Sequence, residues 1–385
     1  MLKTITKKQW IYFLFVIVAL GITAQLIMRG PRDFDTSGIH YTHYNNYLIF
    51  KQSFVHLLEG KNLYTAYPAE HWDLFKYTPL FAMTMGVFYW MPDGLGLFLW
   101  NLLNVLVLFG GIYALPRLTL NQKFTIGLLV LLELVTSLQN AQSNALLVGL
   151  ILYAFSFAEK GKTGWATVMV VLSVFIKLYG GIAFLLFLFY PKKWKAALFA
   201  TMWTILAIAL PLVIVGWQHN LFLFDEFLRM LKSDHDASYG LSVMGIIHAW
   251  FSIEIEKLVV LAIGCVLLLL PFTRWKSYSN EVFRMNALAS LLLWMVIFNH
   301  KAESPTFIIA VVGMALCYVS FPLSTSWRIA LLIGIAITSL APTDLVPAFV
   351  RKEFVNPYVL KAVPSALLWL ILTIKSQRHS GLVAS

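Results

Sequence analysis

The stretch RDFDTSGIHYTHYNNY, residues 32–47, gathers two aspartates, two histidines, three tyrosines and two asparagines directly after about twenty apolar residues. Asp33 and Asp35 suit general-base work on a hydroxyl acceptor, or could hold a cation; an Asp-x-Asp pair fits a solvated loop as well. His40 and His43, three apart, could share a helix face and a metal. No further His or Cys falls at convincing ligand spacing, so polar packing is expected there and no metal is assigned.

Three later stretches carry comparable chemistry. LQNAQSN, residues 138–144, sets Gln139, Asn140, Gln142 and Asn144 between two apolar runs. Amides supply donors and acceptors without charge, which suits sugar hydroxyls and suits stitching helices together. IKLYGG, residues 176–181, puts Lys177 in an otherwise apolar stretch. An ammonium there is expensive unless it lines a cavity, has a partner or snorkels to the interface. In a low dielectric it could hold a phosphate as a point charge. NHKAESP, residues 299–305, forms a charged knot of His300, Lys301 and Glu303, with Pro305 suited to start a helix and ordinary capping explaining much of the rest. Glu133 sits within an apolar run, where a structural or proton-relay role needs a partner that the sequence does not assign.

These residues must be positioned by helices. Of 385 residues, 59% are hydrophobic and 12% charged, far from the balance of a soluble domain. Apolar runs recur from Gln9 to Ile374, and a span takes about 20 residues. The chain therefore reads as an all-α, polytopic integral membrane protein, a single domain over 1–385 with about 12 transmembrane helices. Its net charge of +11 lies in short connectors, a topological bias and not a nucleic-acid footprint. Cys265 and Cys317 both fall in apolar runs and offer neither a disulfide framework nor a metal site.

The first run, 9–28, follows Lys3, Lys7 and Lys8, is too long for a signal-peptide core and lacks a small-residue cleavage site. It is expected to remain as an anchor, placing 29–76 outside as the first extracytoplasmic loop, with the remaining spans in 77–375 and a cytoplasmic tail at 376–385. Keeping the basic connectors inside requires Tyr77–Met91 to be a re-entrant half-span that returns at Pro92-Asp93-Gly94. It also makes 164–190 a hairpin of two short helices whose tip, Lys177 to Gly180, faces outward. Arg351 and Lys352 then lie outside, against the bias. Tyr47–Leu58 and Leu221–Lys232 have the broad apolar side of interfacial helices. Under this topology the four polar stretches meet on one face.

The order of several short motifs resembles the GT-C class of membrane glycosyltransferases, in particular glycosyltransferase family 87. They are EGKNLY, YTPLF, FLWNLLN, AQSNALL, IKLYGG followed by PKKWK, and ESPTF, and together they cover most of the chain. The resemblance implies a GT-C-like bundle that moves a hexose such as mannose from a polyprenyl-phosphate sugar donor to a lipid or glycan acceptor. Transfer would take place on the extracytoplasmic face of the cytoplasmic (inner) membrane, among membrane lipids, without a cofactor, a required metal or nucleic acid. An acidic residue early in the first outer loop is the family's expected base, here Asp35 with Asp33 as substitute, and the reaction is an inverting displacement. Lys177, with His300 and Lys301, would hold the donor phosphate. Asn46, Tyr64, Tyr77, Gln139, Asn140, Gln142, Asn144, Tyr179, Glu303 and Ser304 would line the substrate. Two positions depart from the pattern. Counting back from Gly60, the family's usual aspartate falls close to Asn46, and the proline that often follows the lysine motif is Gly180. A polytopic transporter, or a noncatalytic lipid-sugar-binding subunit, is the alternative.

Overall fold

The computed structural model describes residues 7–34, 38–233 and 238–377, and helix dominates them. Helix α1 (Lys7–Met28) leads into a small antiparallel ribbon of β1 (Arg32–Asp33) and β2 (His40–Tyr41), then α2 (Asn45–Leu58). A loop precedes the short α3 (Pro79–Thr84), which tightens into a 3₁₀ turn over Met85–Phe88 before α4 (Asp93–Ala114). There follow α5 (Leu120–Gln139), α6 (Asn144–Glu159), α7 (Thr163–Ile176), a 3₁₀ segment over Leu178–Phe189, α8 (Lys193–Ala209) and α9 (Leu212–Ser233). The remainder comprises α10 (Val243–Phe251), α11 (Lys257–Leu269), α12 (Glu281–Ile297), α13 (Phe307–Ser320), α14 (Thr325–Leu340), the single turn α15 (Ala348–Val350) and α16 (Val363–Gln377).

Local sequence explains where these helices start. Thr78 caps α3 by accepting the Phe81 N–H, with Pro79 in the first turn where its missing N–H costs nothing. Thr119 and Gln122 form a reciprocal capping box at α5, and Asn280 and Ser324 cap α12 and α14. On α9 the buried Asn220, Leu223, Phe227 and Met230 recur at helical spacing, giving it one packed side.

Helices α6, α12 and α13 form the centre. Every residue of α12 from Arg284 to Ile297 is buried, as is α13 from Phe307 to Cys317. A helix that is apolar all round needs neighbours on every side. α4 crosses α6 so closely that a Cβ on Gly149 would meet the Val107 carbonyl oxygen at 2.5 Å. Small residues permit this approach, as in membrane bundles. Outer helices instead expose Ile205, Ile263, Ile333 and Leu367, apolar surface of the kind a bilayer covers. Two ionic links brace the bundle. Arg284 donates to both Glu159 carboxylate oxygens at 2.5 and 2.9 Å, with the Tyr190 hydroxyl on the same carboxylate at 2.7 Å. Glu133 finds its partner in Lys361, at 2.7 Å and buried with it.

Few of the described helices reach full span length. Asp93–Ala114 is long and apolar enough to cross by itself. Lys193–Ala209 and Leu212–Ser233 would add a second if they form one broken span, bent by 94°. The physical reason is interruption: several apolar runs are cut into shorter helices. Residues 163–189 break at Lys177, whose backbone is extended (φ −143°, ψ 125°). Residues 77–91 break between α3 and the turn at Tyr89–Met91, and α9 bends at Gly216.

Candidate active site

The amide motif supplies the floor of the site. The α5–α6 connection turns tightly at Ala141, a non-glycine residue at φ 47°, held because the Trp100 indole N–H donates to its carbonyl at 2.9 Å. That turn sets Gln142 and Asn144 on one side. Lys177, in the break between α7 and the 3₁₀ segment, reaches across so that Nζ donates to Asn144 Oδ1 at 2.9 Å and Gln142 Oε1 at 3.4 Å. The Tyr77 and Tyr179 hydroxyls donate to the same two oxygens, at 3.3 and 3.4 Å. The ammonium also lies 5.8 Å from the centre of the Tyr77 ring, within cation–π range.

Gly180 makes that break possible. A Cβ there would meet the Ser173 backbone at 2.8 Å, so only glycine lets the segment fold back on α7. The Lys177 ammonium is recessed among these groups, with the Glu303 carboxylate more distant on the same cavity. Among the described residues its recorded partners are neutral amides, and no carboxylate pairs with it directly.

Around this centre lies a cavity of about 380 Å³, lined by Asn46, Tyr77, Gln142, Lys177, Tyr179, His300, Lys301 and Glu303 among others. The sequence-derived candidates thus separate into two groups. Those eight converge on the cavity from five distant parts of the chain. Asn144 sits behind it, donating to the Pro305 carbonyl at 3.0 Å while holding Lys177. Tyr64 is a buried brace, its hydroxyl on the Tyr77 carbonyl at 3.0 Å. Gln139 turns away to Gln25 at 3.0 Å, and Asn140 offers its carbonyl to Asn46 Nδ2 at 2.8 Å. Ser304 opens the 3₁₀ turn before α13 and is not in the lining. His300 and Lys301 are placed by Gly240, whose φ of +55° and close approach to the His300 carbonyl exclude a side chain, and by Leu241 N–H on the Ala302 carbonyl at 2.9 Å.

Asp33 is not among the residues of the cavity wall. Asp33 pairs with His40 Nδ1 at 2.5 Å on the exposed ribbon, and Asp35 lies outside the described residues. Much of the motif does structural work. Tyr41 donates to the Pro68 carbonyl, and the Asn45 amide clamps both backbone groups of Trp72 at 2.8 Å. The carboxylates that do line the cavity are Glu303 and Asp73, the latter absent from the sequence-derived set. Glu303 caps the turn before α13. Asp73 sits at φ 75°, a left-handed conformation unusual outside glycine, with one carboxylate oxygen on the Leu74 N–H at 2.7 Å and Lys76 beside it at 3.2 Å. Its available signal was position, five residues before Thr78 in the YTPLF motif.

One group of metal-ligand type occurs among the described residues, His56 on α2 with Glu70 and His71 in the loop that follows it. It stands outside the cavity lining.

No curated protein matches the chain. Among solved structures it is similar to ArnT from Cupriavidus metallidurans bound to undecaprenyl phosphate, with a TM-score of 0.45 and 14% identity over 96% of this chain and 77% of that one. Those values are too low to carry residue roles or donor chemistry across. The decisive match is in the sequence: residues 75–298, more than half of the chain and most of the cavity wall, fit one family throughout. The chain belongs to glycosyltransferase family 87.

Proposed function

We propose that this glycosyltransferase takes a hexose, mannose by family resemblance, from a polyprenyl-phosphate donor and transfers it to an acceptor hydroxyl on the extracytoplasmic face of the inner membrane. The observation that carries this reading is Lys177. A recessed ammonium whose recorded partners are neutral amides leaves a positive charge open to an anion. Lysine has three donors; two reach Asn144 and Gln142, and the third is free for a phosphate oxygen. His300 and Lys301 border the same space and would share the phosphate charge. The lipid tail would run into hydrocarbon between the helices, and Asn46, Gln142 and Tyr179 would meet the sugar hydroxyls.

Asp73 is the base of this proposal. Asp73 lines the cavity from the loop in which the resemblance expects the acid, whereas Glu303, also in the lining, caps the turn before α13. The acceptor oxygen attacks the anomeric carbon as Asp73 takes its proton; the bond from that carbon to the phosphate oxygen breaks, and the lipid phosphate departs with the electron pair. Attack opposite the leaving group inverts the anomeric centre. Asp35 remains the rival base, since the resemblance places the acid early in this loop. Transfer from radiolabelled polyprenyl-phosphate mannose, measured in membranes carrying Asp73→Asn, Asp33→Asn, Asp35→Asn and Lys177→Met separately, tests the assignment. Undiminished transfer in both Asp73→Asn and Lys177→Met would reject it.

Asn46 favours a second reading. With an amide where the family's acid is expected, a lipid-sugar-binding subunit without catalysis would retain donor binding and show no transfer. Saturable donor binding with no product from any acceptor would select that reading.

A further inference from the structure

We infer that His56, Glu70 and His71 form a Zn²⁺-class metal site that pins the outer loop to α2. The three ligand atoms lie within 4.8 Å of one another. His56 Nε2 is 2.9 Å from Glu70 Oε2, and the two imidazole centres are 6.3 Å apart, tilted by 48°. Ligands at about 2.0–2.1 Å from a tetrahedral zinc stand roughly 3.4 Å apart, with imidazole centres roughly 5–6 Å apart. Side-chain shifts of about an ångström close the observed cluster to that geometry. Two imidazoles and one carboxylate are a donor set suited to zinc and related divalent transition metals, and the fourth position would be taken by water.

Two features go beyond what a histidine–carboxylate hydrogen bond requires. A pair explains His56 and Glu70 but does not call for a second buried imidazole at the same point. His71 Nδ1 lies 3.1 Å from the Asp73 carbonyl, which fixes the tautomer and leaves Nε2 as the ligating atom. A metal-bound histidine is commonly held in this way by a backbone carbonyl. The ligands are also built in: both histidines are buried, the His56 ring stacks on Tyr67 at 3.8 Å, and Glu70 and His71 sit on a turn whose N–H groups both bond the Tyr67 carbonyl. Glu70 is one-third exposed, which leaves an entry path for the ion.

The site's consequence is positional. The loop between α2 and α3 has few regular backbone hydrogen bonds, yet it must hold Asp73 in a left-handed conformation at the cavity edge. A metal joining α2 to residues 70–71 fixes the chain two residues before Asp73, through the His71 contact with its carbonyl. The metal takes no part in sugar transfer.

The test reads metal and not catalysis, so it stands whether or not the proposed reaction is right. The full-length chain in detergent is stripped with a chelator, dialysed against micromolar Zn²⁺ and its metal content measured. One Zn²⁺ per chain is expected, with the visible absorption of four-coordinate Co²⁺ when cobalt replaces it. His56→Gln and His71→Gln should lose the ion. Glu70→Gln, on an accessible turn where the fold tolerates it, should weaken zinc affinity by about 10- to 100-fold or more. Zinc should raise the melting temperature of the wild type at concentrations that leave Glu70→Gln unchanged. No retained zinc, or equal affinity in wild type and Glu70→Gln, overturns the site.

Discussion

Replacing Lys177 with methionine tests the anion site most directly, because methionine keeps the length and removes the charge. The wild-type ammonium spends two donors on Asn144 and Gln142 and offers the third to phosphate. At about 4 Å and an effective dielectric near 20, its attraction for one phosphate charge is about 4 kcal/mol, and charge-assisted hydrogen bonds measured by mutation contribute roughly 1.5–3 kcal/mol. The loss should therefore be about 2–4 kcal/mol, or about 30- to 1,000-fold in kcat/KM for the lipid-phosphate donor. Folding should survive, since the Tyr77 and Tyr179 hydroxyls still reach the two amide oxygens. Lys177→Arg, which keeps the charge, should retain more donor capture than Lys177→Met. Initial rates against donor concentration supply the comparison. Unchanged kcat/KM in Lys177→Met refutes the placement of the phosphate at this residue.

Asp73→Asn should lower kcat by about 10²–10⁴-fold with little change in donor affinity, while Asp33→Asn, on the exposed ribbon, should leave transfer within about twofold. Glu133→Gln and Lys361→Met each strand a buried partner and should cost about 3–5 kcal/mol, whereas the double variant should cost much less than their sum, as read by thermal unfolding of all four forms in one detergent. Gly180→Ala forces a Cβ against the Ser173 backbone, shifts Lys177 by a fraction of an ångström to an ångström, and should reduce transfer by up to about 10²-fold while the chain still folds.

What was legible in the sequence follows from what each residue costs. A lysine inside an apolar run demands compensation and amides between two such runs demand partners, so the two stretches could be expected on one polar face, while the direct hold of Gln142 and Asn144 on Lys177 is shown by the fold. The break at Lys177 was legible for a related reason, since basic connectors on both sides forced a hairpin. Glu133 carried the same cost, but its partner is 228 residues away in a segment of no particular pattern, and nothing local points to Lys361. Carboxylates in a polar loop are harder still. They are affordable anywhere in water, so composition could not rank Asp33 above Asp73; only the fold shows which one reaches the cavity. The His56, Glu70 and His71 cluster was hidden because its ligands lie on a helix and on a loop turn that the fold brings together, beside the Asn45 clamp on Trp72.

Asn46 joins these points. Its side-chain N–H donates to the Asn140 carbonyl at 2.8 Å, a contact in which a carboxylate would set oxygen against oxygen. The amide at 46 thus ties α2 to the amide motif, and that tie helps hold Gln142 and Asn144 under Lys177. An acid placed there would have to break the tie or take up a proton, and either would spoil a base. On the proposed reading the position near 46 helps to build the anion pocket, and a base would enter from elsewhere in the same loop. Asp73 meets that requirement on geometry: it lines the cavity, it shares a loop with Asn46, and its backbone is held in a costly conformation by contacts to Leu74 and His71. On the proposed reading the pocket keeps its place for the phosphate, while the proton acceptor lies further along the chain than the family's usual position.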